Sequence, residues 1–224
     1  MFPLRDSQPS YSKPVVVVFL IVLNILIFLF EFSLDPYSQN AFIDTYGLIP
    51  ARYHLVNIFT SMFLHGGWLH VLGNMWFLWI FGDNIEDILG HGKFLMFYLL
   101  CGVAAALTQI VFNPYSRLPM VGASGAIAGV MGAYTVKFPR ARIVTLIFIL
   151  FFITTADLPA WVMLIYWFVI QLFSGVGSIS AGAAQFSQGG TAWFAHVGGF
   201  LAGIVLVNLL GTRQRYSRRR DLYW

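Results

Sequence analysis

The sequence predicts an all-α membrane protein, a bundle of six transmembrane helices with both termini in the cytoplasm. Three observations carry this prediction. Hydrophobic residues make up 58% of the chain and charged residues 10%, against about 45–50% and about 25% in soluble domains; mean hydropathy is +0.76. The apolar residues gather in six runs that serve as the hearts of bilayer-crossing helices, which need about 20 residues each. Eleven of the 13 lysines and arginines fall on one side when six spans are threaded from a cytoplasmic N-terminus, which is the positive-inside pattern. A soluble globular enzyme, a disordered chain and a collagen-like fibre are excluded.

The elements follow in order. Residues 1–13 read as a short polar cytoplasmic tail, without the Arg/Ser-rich form of a transit peptide. Val15–Phe30, apolar except for Asn24, is the first span, and no small-residue cleavage pattern follows it. Ser33–Leu64 is long, faces outward and holds Pro36, Tyr37, Tyr46, Pro50 and Tyr53; connections of this length carry their own structure or a function. His70–Gly82 is the heart of span two, which begins near Gly66. Phe94–Phe112 is span three; it contains Cys101, the single cysteine, so no intrachain disulfide forms. Ser124–Phe138, rich in Gly and Ala, is span four, Ala160–Phe173 span five and Ala192–Leu210 span six. Residues 14–211 thus form the membrane domain, and residues 212–224 a basic cytoplasmic tail.

Ile143–Ala156 is the ambiguous run. It is apolar, short and rich in β-branched residues. As a seventh span it would carry Arg213, Arg215, Arg218, Arg219 and Arg220 to the outer side and destroy the charge asymmetry. It is therefore expected to be an interfacial or re-entrant segment on the cytoplasmic side. The tail arginines then read as an orientation signal in contact with lipid headgroups. The net charge of +4 and pI of about 9.3 do not imply nucleic acid. Val176–Gly190 is Gly/Ser-rich and faces outward as a candidate lid.

Ionisable side chains inside spans are expensive and point to function. Few remain: His65, His70 and Asn74 in or above span two, Ser124 opening span four, and His196 in span six. Spans two, four and six run in the same direction. At ~1.5 Å per residue, His70, Asn74, Ser124 and His196 share the outer half of the membrane. G-x-x-x-G patterns at Gly125/Gly129 and Gly199/Gly203 let spans four and six approach closely. A lone serine in a span is ordinarily a cap or packing residue, and a lone histidine a satisfied core residue. At one depth, the two fit a hydroxyl nucleophile with an adjacent base. No acidic residue reaches this depth, which points to a Ser–His dyad. His70 and Asn74, four apart on one helix face, can donate to an oxyanion, with the Ser124 N–H as a third donor; interhelical hydrogen bonding is the alternative. The spacing of His65 and His70 does not make a metal pair, and neither a metal nor another cofactor is expected.

Three segments carry a family resemblance. His65-x4-His70-x3-Asn74, Gly122-Ala-Ser-Gly125 and Ala195-His-x-Gly-Gly-x3-Gly203 resemble, in order and spacing, the motifs of the rhomboid intramembrane serine proteases. The resemblance covers about Lys13 to Gly211. It implies a six-helix bundle that hydrolyses peptide bonds in or near transmembrane segments of membrane-protein substrates. It further implies Ser124 as nucleophile, His196 as base and His70, Asn74 and the Ser124 N–H as oxyanion hole. Gly122 would leave room for the substrate backbone, His65 would support the site, and Glu86 would hold a structural acidic position. Some members place a Tyr one turn after the serine, stacked on the histidine; here that place is Ala128. The other reading of the resemblance is an inactive rhomboid-like scaffold that binds transmembrane helices. The expected partners are substrate transmembrane segments and lipids, not nucleic acid. The expected location is a bacterial-type plasma membrane, with the site open to the extracytoplasmic side. Substrate is expected between spans two and five, past Trp76, Phe77, Trp79 and Phe81 on one flank and Trp161, Tyr166, Trp167 and Phe168 on the other.

Overall fold

In the computed structural model, which describes residues 1–149, 152–180 and 192–212, apolar runs without internal proline form long helices. Six make the bundle: α1 (Val15–Ser33), α4 (Trp68–Leu89), α5 (His91–Phe112), α6 (Ser124–Lys137), α7 (Ala160–Ser180) and α8 (Trp193–Leu209). Two smaller helices, α2 (Pro36–Tyr46) and α3 (Asn57–Thr60), and two 3₁₀ turns lie between α1 and α4. The long segment between α1 and α4 therefore carries its own structure. Asp35 starts α2 by accepting hydrogen bonds from the N–H groups of Tyr37 and Ser38, a standard N-cap.

Val15–Ser33, His91–Phe112 and Ala160–Gly177 are long and apolar enough to cross a membrane, and Trp193–Leu209 is a shorter apolar helix. α4 has the length, but Asp83, Glu86 and Asp87 sit in its last two turns. Their work is local. Glu86 accepts hydrogen bonds from the N–H groups of Val16 and Val17 at 2.9 and 2.8 Å, satisfying donors that the first turn of α1 leaves free. Asp87 accepts from the N–H groups of Tyr11 and Ser12 and from the Ser12 hydroxyl.

α6 is the central element. It has 14 residues, about 21 Å of helix, and every residue from Gly125 to Thr135 is buried. It packs on α5 and α8 through small residues. A Cβ at Gly199 would strike the carbonyl of Gly125, one at Gly203 the backbone of Gly129, and one at Gly132 the backbone of Phe200. The two G-x-x-x-G stripes therefore face each other, and the backbones meet directly.

The all-α expectation is corrected by a three-stranded antiparallel sheet. Its strands are β1 (Phe2–Asp6), β2 (Arg142–Ile149) and β3 (Phe152–Pro159), in the order β1-β2-β3. Phe2 pairs with Leu146 and Asp6 with Ile143; Arg142 pairs with Pro159 and Ile149 with Phe152. Residues 143–149 and 152–156 of the ambiguous run are thus paired β-strands. The run's β-branched residues favour a strand. A hairpin alone is marginal, and the third strand comes from the extreme N-terminus. The sheet is tied to the helices at several points. The Trp76 indole donates to the Pro3 carbonyl at 2.7 Å. Phe2 stacks on Trp76 with centroids 5.9 Å apart. The Tyr134 hydroxyl donates to Asp6. Burial pushes the Asp6 carboxyl above the usual carboxylate range, against that hydrogen bond.

The part of Val176–Gly190 beyond Ser180, and the tail arginines Arg213, Arg215, Arg218, Arg219 and Arg220, lie outside the described residues; Val176–Ser180 ends α7.

Candidate active site

Ser124 is the first residue of α6. The chain reaches it through a short extended stretch held on two sides. Met120 and Leu48 exchange backbone hydrogen bonds at 2.8 and 3.0 Å, and the Gly122 N–H donates to the Ser61 carbonyl at 2.8 Å. Gly122 has φ +122°, a conformation other residues rarely adopt. A Cβ there would sit 2.7 Å from the His70 ring and 3.4 Å from Asn74 Nδ2. Glycine is needed so that His70 and Asn74 can close on the backbone before Ser124.

His196 lies in the first turn of α8. The glycine seam brings its Nε2 to 2.8 Å from Ser124 Oγ. The start of α8 is also fixed from α5, where Gln109 Oε1 accepts from the Ala195 N–H at 3.2 Å. On the other side of the ring, His196 Nδ1 lies 2.7 Å from Gln171 Oε1 of α7. The Trp167 ring, also from α7, lies over His196 with centroids 5.6 Å apart and planes at 38°.

His70 and Asn74 both come from α4. His65 precedes that helix and is fully buried. Its Nε2 lies 3.0 Å from Asn74 Nδ2, and its ring packs edge-on to His70 at 5.2 Å. The His65 N–H donates to Glu31 Oε2 at 3.2 Å. His196 contacts Ser124 directly, Gln171 and Trp167 contact His196, and His70 and Asn74 close on Gly122 with His65 behind them.

Three residues of the site escaped the sequence reading. Glu31, at the end of the first apolar run, is fully buried behind His65, whereas the hydrogen-bond partners of the His196 ring are Gln171 and Ser124. Gln171 is uncharged and so was not among the ionisable candidates. The signal was present, because Gln171 is the one amide in the apolar run Ala160–Phe173, and a buried amide needs a partner. Trp167 is expected on the flank of the substrate entry. It supplies from α7 the ring that Ala128 does not supply from α6. Other flank aromatics also turn to internal partners: Phe81 packs on Tyr134 and Phe168 stacks on Phe200.

Chemically, an imidazole nitrogen at 2.8 Å can take a proton from a hydroxyl. The first N–H groups of α6 have no acceptor within their own helix. Together with His70 and Asn74, they offer donors where negative charge would develop on a bound carbonyl.

Comparison with known proteins identifies the family. The sequence model of the Rhomboid domain matches residues 52–213. Rhomboid protein 1, mitochondrial, of Saccharomyces cerevisiae is 30% identical over 187 residues, 81% of this chain and 50% of that protein. Rhomboid-like protein 11, chloroplastic, of Arabidopsis thaliana is 28% identical over 230 aligned residues, 97% of this chain and 73% of that protein. Rhomboid protease GluP of Bacillus subtilis is 35% identical over 127 residues, 54% of this chain and 24% of that protein. The chain spans half of the yeast relative and about a quarter of the Bacillus one. On the match of the family domain to most of its length, with its apolar helices, this chain is an integral membrane protein that belongs to the rhomboid family.

Proposed function

We propose that the protein is an intramembrane serine endopeptidase that hydrolyses peptide bonds in or near the transmembrane segments of other membrane proteins. The observation that carries the reading is the 2.8 Å approach of Ser124 Oγ to His196 Nε2, with His70 and Asn74 closed on Gly122 beside it. In this reading all six long helices span the bilayer and the termini are cytoplasmic. The site opens to the extracytoplasmic face of a bacterial-type plasma membrane.

The reaction divides into two steps. His196 Nε2 accepts the Ser124 proton as Oγ attacks the scissile carbonyl. The C–O bond forms, and the oxyanion is held by His70, Asn74 and the Ser124 N–H. His196 then protonates the departing amine as the C–N bond breaks. Water, deprotonated by the same imidazole, attacks the acyl-enzyme and returns the serine. The helix dipole of α6, positive at Ser124, favours the oxyanion as well. A substrate helix must unwind locally, because its peptide carbonyls are otherwise engaged within the helix.

The test is cleavage of a single-span substrate by protein reconstituted in liposomes. Asn74→Ala is expected to lower kcat by roughly 10²-fold, the usual effect of removing one oxyanion donor, with KM little changed. The His70→Ala/Asn74→Ala double variant is expected to fall further. Unchanged kcat in the double variant would overturn the oxyanion assignment.

Substrate is proposed to enter beside α7. The end of α7 can be locked to α8, because a Cβ at Gly175 would lie 3.2 Å from Trp193 Cβ, close to disulfide reach. The only native cysteine, Cys101, is buried. Oxidised Gly175→Cys/Trp193→Cys protein is expected to cleave the single-span substrate about tenfold more slowly than the same protein reduced. Equal rates in the two redox states would remove α7 as the gate.

A further inference from the structure

We propose that Gln171 of α7 is a positioning residue for the base, acting through Nδ1 of His196. The inference rests on the Ser124–His196 reading and deepens it.

A neutral imidazole can accept at Nε2 only if its proton sits on Nδ1. Nothing in the Ser124–His196 contact itself selects that tautomer, because a hydroxyl can donate or accept. Gln171 Oε1, 2.7 Å from Nδ1, is a carbonyl oxygen and can only accept. It therefore holds the proton on Nδ1 and leaves the Nε2 lone pair aimed at Ser124. Both side chains are buried, at 6% and 8% exposure, so water competes poorly for Nδ1. When His196 becomes the imidazolium, the same oxygen receives a charge-assisted hydrogen bond, which is the stronger kind.

Serine hydrolases with three-membered arrangements place a carboxylate here. In a membrane-embedded site a carboxylate carries a heavy desolvation penalty. A neutral amide orients the ring without that charge. The cradle is one face of one helix, since Trp167 and Gln171 are four residues apart on α7 and both contact the His196 ring. The titratable groups facing that ring from other elements are Ser124 of α6 and His70 of α4, and α5 contributes the neutral Gln109 near its backbone. Displacing α7 outward would thus remove the base's support, so this side of the site must be closed during chemistry.

The experiment compares reconstituted wild type, Gln171→Leu and Gln171→Glu in single-span substrate cleavage, with kcat and KM measured across pH and His196→Ala run alongside. Gln171→Leu keeps approximate size and loses the acceptor; its kcat is expected to fall about tenfold with KM within about twofold. Gln171→Glu keeps the acceptor and adds charge. The pair then takes up its first proton at higher pH, and the acid limb of the kcat profile is expected to move up by about one pH unit. A residue 171 that packed nearby without touching His196 Nδ1 would leave that limb in place. Gln171→Leu with wild-type kcat would overturn the proposal. If Gln171→Leu does not fold, an unshifted acid limb in active Gln171→Glu overturns it instead. Activity in His196→Ala would sink the dyad reading itself; an inactive His196→Ala beside a wild-type-like Gln171→Leu would sink only the role of Gln171.

Discussion

Ser124→Ala is expected to bring cleavage of a single-span substrate in liposomes to background, a fall of roughly 10⁴–10⁶ in kcat. The variant loses one hydroxyl at the start of α6 and one hydrogen bond to His196. The buried faces of α6 that hold the bundle are untouched, so helical content and thermal melting should stay near wild type. His196→Ala is expected to fall equally far, because the imidazole that activates Oγ is gone. The decisive feature is non-additivity. Residues that act as one unit cannot be removed twice, so Ser124→Ala/His196→Ala should be no slower than either single variant. A fluorophosphonate probe should label wild type at Ser124 and neither variant. Cleavage retained in Ser124→Ala would refute the assigned nucleophile. Wild type that binds single-span helices and is neither labelled nor cleaves any of several of them would favour the inactive rhomboid-like scaffold.

The pairing of Ser124 with His196 was legible in the sequence because depth in a membrane is nearly one-dimensional. Counting residues along spans that run the same way puts both side chains at one level, and facing G-x-x-x-G stripes close the distance. The support of the base was not legible by the same route. Gln171 comes from α7, read from the sequence as a span that runs the opposite way, and carries no charge to mark it. His65 is expected in or above span two; it precedes α4 and reaches Asn74 from outside that helix. The sheet was hidden for a different reason. The β-branched residues of 143–156 are visible in the sequence, yet the strand that completes the pairing is Phe2–Asp6, more than 130 residues away. That partner sits in a stretch whose polarity reads as tail. Long-range pairing leaves no periodicity in either segment alone.

The same geometry makes the α6–α8 seam the most vulnerable structural feature, and Gly203→Val is expected to remove fold and activity together. A Cβ at Gly203 would overlap the carbonyl oxygen, carbonyl carbon and Cα of Gly129. These are backbone atoms within a buried helix, so no rotamer change relieves the clash. Gly129 has little room to retreat, because Cys101 of α5 packs closely against it. α8 must therefore move away from α6. Overpacking of this kind ordinarily costs about 1–3 kcal/mol, occasionally more, and a backbone-to-backbone contact belongs at the upper end. Displacement by about 1 Å in a reacting pair can cost about 10² in rate, so the Ser124–His196 contact would fail even in protein that remains folded. Gly73 is the matched control. It lies within α4, and a Cβ there meets no atom within 4 Å. Gly73→Ala should leave the melting temperature unchanged or raise it, since glycine inside a helix is about 0.5–1 kcal/mol worse than alanine. The measurement is thermal unfolding in detergent, with fluorophosphonate labelling of Ser124 on the same samples. Gly203→Ala should fall between wild type and Gly203→Val in both. Wild-type melting and labelling in Gly203→Val would mean that the glycine seam does not set the distance between hydroxyl and imidazole, and the argument from close helix approach to catalytic geometry would fail with it.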